Sequence, residues 1–563
     1  MIEKRTGVAI PVFSLRSRES FGIGEFEDLK LLVDWCVKTG QNIIQILPIN
    51  DTTFFHTWQD SYPYNACSSF ALHPQFLRLT LMGVEADSRY CALRDGLNSL
   101  PALDYERVNE AKMELLWQHF RSSGQNDCRR KAYKSFVEEN AEWLLPYAAY
   151  CHERDHKAYS ERFYCYLQYH LDLQLTSVVE YARSKGVVLK GDLPIGVSAT
   201  SCDVKQFPKL FNLDFSAGAP PDFFSQDGQN WGFPTYNWEE MAKDGYLWWR
   251  RRLGRMSRYF NAFRIDHILG FFRIWEIPRS AKSGLLGHFN PAMPLSPEEM
   301  QEQFGFSFSK KFLKPSGSVP SDVLFVEDPR QKGLYHPRIM GSGSSWYASL
   351  PDDQKDAFNR LHDDFFFHRH NEFWKESAMK KLPALVGCTD MVACGEDLGM
   401  VPACVPEVMK SLGILSLAIQ RMHPDMNVEF GDPKCNPEMS VCTTSTHDMS
   451  PIRAWWEEDR EGASTRYYYN YLHWDGPVPY FCEDWLVRGI LQDHFKSPSV
   501  YKIFPLQDYL ALCPRLRRTM PQEEQVNHPE NPRHYWRYRM HIMLEDLLNA
   551  DDLNGDIIKL TQK

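Results

Sequence analysis

The chain has 563 residues, 43% of them hydrophobic and 24% charged, a balance that excludes a disordered or fibrous protein. Its 63 basic and 73 acidic residues leave a net charge of −10, which argues against nucleic acid as a partner, because phosphate binding rests on basic surfaces. Aromatic residues reach 14%, with 16 Trp, 26 Tyr and 35 Phe, more than a core needs, and flat faces that stack on sugar rings are one use for the surplus.

Read from the N-terminus, short apolar and β-branched runs recur and close on polar residues. They cover 8–13, 43–47, 187–189, 262–265, 391–393, 414–419, 441–444 and 500–504. Runs of this length fit buried parallel strands. Helical patterns lie between many of them. One covers 27–37, with Leu29, Leu32, Val33 and Cys36 on one face; another covers 161–183. Strands alternating with helices predict a (β/α)8 TIM barrel of the α/β class, with a doubly wound open sheet as the rival. A plain barrel takes about 250 residues. The excess falls into large, mainly helical insertions between strands 2 and 3, 3 and 4, and 4 and 5, at about 54–185, 194–258 and 270–388. The third holds two loop-like Gly/Ser/Pro stretches and then a helical segment near 352–382. No linker divides the chain, so residues 1–563 are expected to form a single elaborated barrel.

The 14 cysteines form no C-x-x-C pair, so a zinc ribbon or a redox motif is not expected. No signal peptide and no run of about 18 apolar residues is visible, which predicts a cytoplasmic chain with reduced thiols and no membrane association.

In a barrel of this type the chemistry sits at the C-terminal ends of the strands. The fourth strand ends Phe263-Arg264-Ile265-Asp266-His267. Arg264 and Asp266 share a face, and the guanidinium should lower the Asp266 pKa and keep it ionised; a structural ion pair is the alternative. The fifth ends Ala393-Cys394-Gly395-Glu396-Asp397-Leu398-Gly399, where Glu396 suits a general acid and Asp397 a loop anchor or helix cap. The seventh ends Thr443-Thr444-Ser445-Thr446-His447-Asp448, with an imidazole beside a third carboxylate; a hydrogen-bonded core histidine is the alternative. Two carboxyl groups flanking a glycosidic bond can cleave it through an oxocarbenium-like transition state, while a third grips ring hydroxyls. That chemistry asks for no cofactor and no metal.

These three strand ends, in this order, resemble the 4-α-glucanotransferases of glycoside hydrolase family 77, the amylomaltases and disproportionating enzymes. Further fragments carry the same resemblance: Phe21-Gly22-Ile23-Gly24-Glu25-Phe26, Gly191-Asp192-Leu193-Pro194-Ile195, Ala217-Gly218-Ala219-Pro220-Pro221-Asp222-Phe223-Phe224, Gly228-Gln229-Asn230-Trp231-Gly232-Phe233-Pro234 and Pro505-Leu506-Gln507-Asp508. The resemblance spans nearly the whole chain. It implies Asp266 as nucleophile, Glu396 as acid/base and Asp448 as transition-state stabiliser. It implies Tyr64, Asp192, Arg264, His267 and His447 around the sugar that is cleaved, and Asp222, Gln229 and Trp231 on an acceptor-side loop. The implied activity is retaining transfer of glucosyl or maltooligosaccharide units between α-1,4-glucans, with glucose or maltose as acceptor. An α-glucan hydrolase, or a dead glucan-binding barrel, is the alternative.

The family's Asp-Ser-Pro-Tyr stands here as Asp60-Ser61-Tyr62-Pro63-Tyr64, so Tyr64 aligns more firmly than Ser61. The long stretch between Asp266 and Glu396, with His534-Tyr535-Trp536-Arg537-Tyr538-Arg539-Met540-His541, looks like the plant cytosolic disproportionating type. Such proteins often carry N-terminal starch-binding modules, and none is expected here, because the first strand opens near residue 8. If 270–388 walls off the donor side, single glucosyl units are expected to move; a structural or oligomerising insert is the alternative. The loops expected to hold glucan bring Tyr62, Tyr64, Phe223, Phe224, Trp231 and Tyr236, whereas Trp248, Trp249, Trp455, Trp456 and Trp536 read equally well as packing.

Overall fold

The computed structural model describes residues 2–562 except 222–224, 282–283, 426 and 532. Eight parallel strands form its central sheet: β1 Arg5–Ala9, β2 Ile43–Gln45, β3 Val188–Leu193, β4 Ala262–Ile265, β5 Val392–Gly395, β6 Ser416–Ile419, β7 Ser440–Thr443 and β8 Tyr501–Pro505. Their order around the sheet is β5-β4-β3-β2-β1-β8-β7-β6. The two ends meet through Gly395 N–H to the Leu415 carbonyl at 2.8 Å and Leu415 N–H to the Ala393 carbonyl at 2.9 Å. The result is the (β/α)8 barrel that the alternation predicts.

Each strand is short and buried because helices cover the outside and side chains fill the inside. Ile43, Val188, Ala262, Cys394, Leu415, Val441 and Tyr501 form one cluster drawn from around the barrel. Most strand limits shift by one or two residues from the sequence reading, and two C-terminal limits shift by four. The first strand stops at Ala9, and Val12–Ser14 is a 3-10 turn. Pro11 lies between them and has no N–H to give a ladder. The third strand runs on past Leu189 to Leu193, because Lys190 is buried and its ammonium donates to Gln45 Oε1 at 2.6 Å. A polar run there is inward-facing strand, not loop.

The helix Asp28–Lys38 buries Leu29, Leu32, Val33 and Cys36 completely. The helix Glu161–Ser184 opens on Ser160, whose side chain accepts the Phe163 N–H, and it leads directly into β3. The first insertion is helical, with Ser88–Asn98, Tyr105–Ser122, Lys131–Glu139 and Ala141–Arg154. The second and third carry helices too, but they also share one sheet. Strands His288–Asn290, Ile274–Pro278, Phe215–Ala219 and Gln229–Asn230 lie side by side in that order, all antiparallel. This sheet presents the Gln229–Trp231 segment. Gly218 makes it possible, since a Cβ there would lie 2.0 Å from the Gln229 carbonyl oxygen. Among the described residues, no helix is long and apolar enough to cross a membrane.

Candidate active site

The strand ladders continue for one residue beyond β4 and β5 and so fix the acids. Asp266 N–H donates to the Leu193 carbonyl at 3.2 Å, and Glu396 N–H to the Ile265 carbonyl at 3.0 Å. Asp192 and Arg264 are register partners on β3 and β4. The Arg264 guanidinium therefore reaches several carboxylates at once. Its Nη1 donates to Asp192 Oδ1 at 3.0 Å and Asp266 Oδ1 at 2.8 Å, and its Nη2 lies 3.8 Å from Glu396 Oε2. One buried cation serves three acids.

Those acids are held differently. Asp266 Oδ2 accepts the Ile195 N–H at 3.1 Å. Glu396 accepts the His267 N–H on Oε2 at 2.9 Å and the Leu398 N–H on Oε1 at 3.1 Å. His267 aims its N–H there by adopting φ +43°, the left-handed region, a conformation that costs an imidazole-bearing residue about 1 kcal/mol or more. Burial pushes Glu396 up to about 7, and the neighbouring Asp266 charge adds to this, against Arg264 and the two N–H donors. Asp266 is also raised, by burial first, with Arg264 and Ile195 opposing. The lowering expected from Arg264 alone is thus overturned: the guanidinium is divided among three carboxylates and does not offset desolvation. Arg264 still lies nearer Asp266 than Glu396, so the first proton to settle on the pair belongs on Glu396.

A fourth carboxylate, Asp448, is tied to this group through a chain of contacts. Tyr64 Oη donates to Asp192 Oδ2 at 2.7 Å and lies 2.9 Å from His447 Nε2. The phenol proton is committed to Asp192, so His447 must carry its proton on Nε2 and donate to Tyr64. The same nitrogen is 3.2 Å from Asp448 Oδ2. Tyr64 and His447 stack with ring centroids 5.4 Å apart. Asp448 Oδ1 accepts from Asn527 Nδ2 at 2.6 Å, while the Asn527 N–H donates to the His447 carbonyl at 3.0 Å. Exposure rises along this path: the Asp192 side chain is sealed at 0%, Asp266 stands at 19% and Asp448 at 39%. Asp192 is a buried anchor, and Asp266, Glu396 and Asp448 open to the mouth.

Trp231 packs edge-on to His267 at 4.9 Å and stacks beside Phe233. Gln229 Oε1 accepts the Trp231 indole N–H at 2.9 Å and so orients that ring. Asp222, Phe223 and Phe224 lie outside the described residues. Tyr236 packs its ring among Phe211, Trp238, Trp248 and Trp249, and its hydroxyl donates to the carbonyl of Ile195, the residue whose N–H holds Asp266. Trp536 is buried too, with its ring 5.5 Å from Tyr62 and 6.0 Å from His447. Asn527 has no motif around it and escapes a sequence reading, because only the folded chain brings it to Asp448. Asp397 anchors the loop, accepting the Leu417 N–H at 2.9 Å, and does not cap a helix. Asp508 is structural, bonded to Thr444 Oγ1 and the Ile452 N–H.

The family model described as 4-alpha-glucanotransferase, Glyco_hydro_77, matches residues 10–162 and 152–545. The chain is 38% identical to the 4-alpha-glucanotransferase DPE2 of Oryza sativa subsp. japonica, covering 98% of this chain and 69% of that protein. It is 29% identical to the 4-alpha-glucanotransferase of Chlamydia pneumoniae, covering 98% of this chain and 94% of that one. Among solved structures, the amylomaltase of Corynebacterium glutamicum superposes with a TM-score of 0.71 at 19% identity, over 99% of this chain and 75% of that one. The amylomaltase of Streptococcus agalactiae in complex with acarbose gives 0.69 at 20% identity, over 99% of both chains. These two show a shared fold. The chain belongs to glycoside hydrolase family 77, the 4-α-glucanotransferases.

Proposed function

We propose that this protein transfers glucosyl or maltooligosaccharide units between α-1,4-glucans by a retaining double displacement, with glucose or maltose as a small acceptor. Asp266 attacks the anomeric carbon, and the bond from that carbon to the leaving O4 breaks. Glu396 gives its proton to that oxygen. Glu396 then takes the proton of the acceptor 4-hydroxyl as it attacks the same carbon and releases Asp266. Asp448 holds ring hydroxyls, and Tyr64, Asp192, Arg264, His267 and His447 shape the site of the cleaved sugar. Trp231, set by Gln229, offers a face for the acceptor, and Asp222 is assigned to the same loop.

The observation that carries this reading is the division of the acids. Glu396 is pushed up to about 7 and can hold a proton near neutrality, whereas Asp266 sits 2.8 Å from a guanidinium nitrogen. Transfer, as against hydrolysis, is supported by family membership. The single-domain reading of residues 1–563 is supported by the sheet that joins the second and third insertions. Fourteen unpaired thiols support a cytoplasmic location.

The test is Asp266→Asn with maltotriose as substrate. Turnover should fall at least 10³-fold, about 4 kcal/mol in the barrier, with glucan binding retained. Wild type should redistribute chain lengths while the number of reducing ends stays constant. Retained turnover in the variant removes Asp266 as nucleophile, and a rising count of reducing ends favours the hydrolase. The product ladder also settles donor length, since multi-glucose steps exclude single glucosyl transfer.

A further inference from the structure

Away from the barrel mouth, the third insertion holds a second constellation. Potential ligand atoms of His288, Asp328 and His336, one from each residue, lie within 4.8 Å of one another, and all three residues are buried. His288 sits on the strand His288–Asn290, His336 on Tyr335–Pro337, and Asp328 directly follows the strand Phe325–Glu327. Rigid β elements thus present all three.

The carboxylate is already oriented. Asp328 Oδ1 accepts the N–H groups of Arg330 at 2.8 Å and Gln331 at 2.7 Å, and Oδ2 lies 2.8 Å from His336 Nε2. Two imidazole nitrogens are left without a hydrogen bond among the described residues: His336 Nδ1, and His288 Nε2, whose one charged neighbour, Glu276 Oε2, stands 3.5 Å away. Buried polar atoms normally find closer partners, so two such nitrogens in one cluster point to something that binds them. Charge agrees. Glu276 Oε2 is 3.5 Å from His288 Nε2 and is paired with Arg330 at 2.6 Å, so Glu276, Asp328 and Arg330 together leave one negative charge.

We propose that His288, Asp328 and His336 form a structural site for a divalent transition ion of the zinc class. Two imidazoles and one carboxylate are a zinc-type donor set, and ligand atoms of a tetrahedral zinc lie roughly 3.3 Å apart, within side-chain rotation of the spacing here. Glu276 stands as the outer partner, or as a fourth ligand. The ion would staple the hairpin of residues 325–337 to the sheet that carries Gln229 and Trp231. The proposal is independent of the roles of Asp266, Glu396 and Asp448.

The test is metal content. Full-length protein dialysed against zinc and then against buffer should retain one equivalent per chain, and cobalt in its place should give visible bands of tetrahedral intensity. Competition against a chromophoric chelator, on the wild-type chain alone, should return a dissociation constant well below micromolar. His288→Ala, Asp328→Asn and His336→Ala should each weaken zinc binding at least tenfold and lower the melting temperature in zinc but not in chelator. A wild-type chain that retains no zinc overturns the proposal. So does zinc held equally by wild type and by folded variants.

Discussion

At the residue scale, the Glu396 proton sets the pH behaviour. With its pKa at about 7, the acid form is lost as pH rises through neutrality, so kcat/KM should decline on the alkaline side with a midpoint near pH 7. The same shift bears on stability. The folded state holds this proton more tightly than the unfolded state does, so stability falls between the unfolded value of 4.5 and about 7. Glu396→Gln has no proton to lose. It should match wild type near pH 4 and exceed it above pH 7.5 by up to about 3 kcal/mol in urea unfolding. Equal stability at both pH values contradicts the raised pKa. Asn527 gives a second prediction. Its amide makes a hydrogen bond to the Asp448 carboxylate at 2.6 Å. A bond to a charged group contributes about 1.5–3 kcal/mol, so Asn527→Ala should cut kcat/KM by about 10- to 100-fold. Melting temperature should hardly change, because the site is open to water. An unaffected kcat/KM means that Asp448 needs no such support.

At the element scale, the sheet built from two insertions positions Trp231, the aromatic proposed for the acceptor side. A Cβ at Gly218 would meet the Gln229 carbonyl oxygen at 2.0 Å and Ile277 Cδ1 at 2.8 Å. Gly218→Ala must push the strand Gln229–Asn230 outward and carry Trp231 away from His267. Overpacking of this kind costs about 1–3 kcal/mol. The KM for a glucose acceptor should rise severalfold, with the midpoints of the pH profile unchanged. An unchanged acceptor KM would detach this sheet from acceptor binding. Strands were legible where apolar runs are bounded by turns, as at 262–265, and misread where burial is polar, as at Lys190 and Asp192. Pro11 ends the first strand inside a run that hydropathy alone treats as continuous. The shared sheet was not legible, because the pairing of Phe215–Ala219 with Ile274–Pro278 spans the whole of β4 in sequence.

At the scale of the whole molecule, one barrel gathers acids from three strand ends onto one guanidinium. Asp266 and Glu396 were readable as strand-end carboxylates, since each stands in a local motif, whereas the strand placement of Asp192 was not. Nor was their environment. The raised pKa of Asp266 depends on burial contributed by distant loops, and Asn527 and Trp536 reach the site from the C-terminal segment of the chain. The aromatic surplus divides in the same way: Tyr62, Tyr64 and Trp536 pack together beside His447 and Trp231 packs on His267, while Tyr236, Trp248 and Trp249 form a separate cluster. Local motif identifies the chemistry, and long-range packing decides which neighbours tune it.

The central claim is a covalent glycosyl-enzyme on Asp266, and trapping tests it most directly. Glu396→Gln cannot protonate an ordinary leaving oxygen, but a glucosyl or maltosyl fluoride needs no such proton. Incubated with that donor and no acceptor, the variant should gain the mass of one glycosyl unit. Peptide mapping should place that mass on the segment containing Asp266; glucose, whose hydroxyl needs a base, should discharge it slowly, and azide, which needs none, should discharge it readily. No adduct, or an adduct on a different carboxylate, would contradict the account.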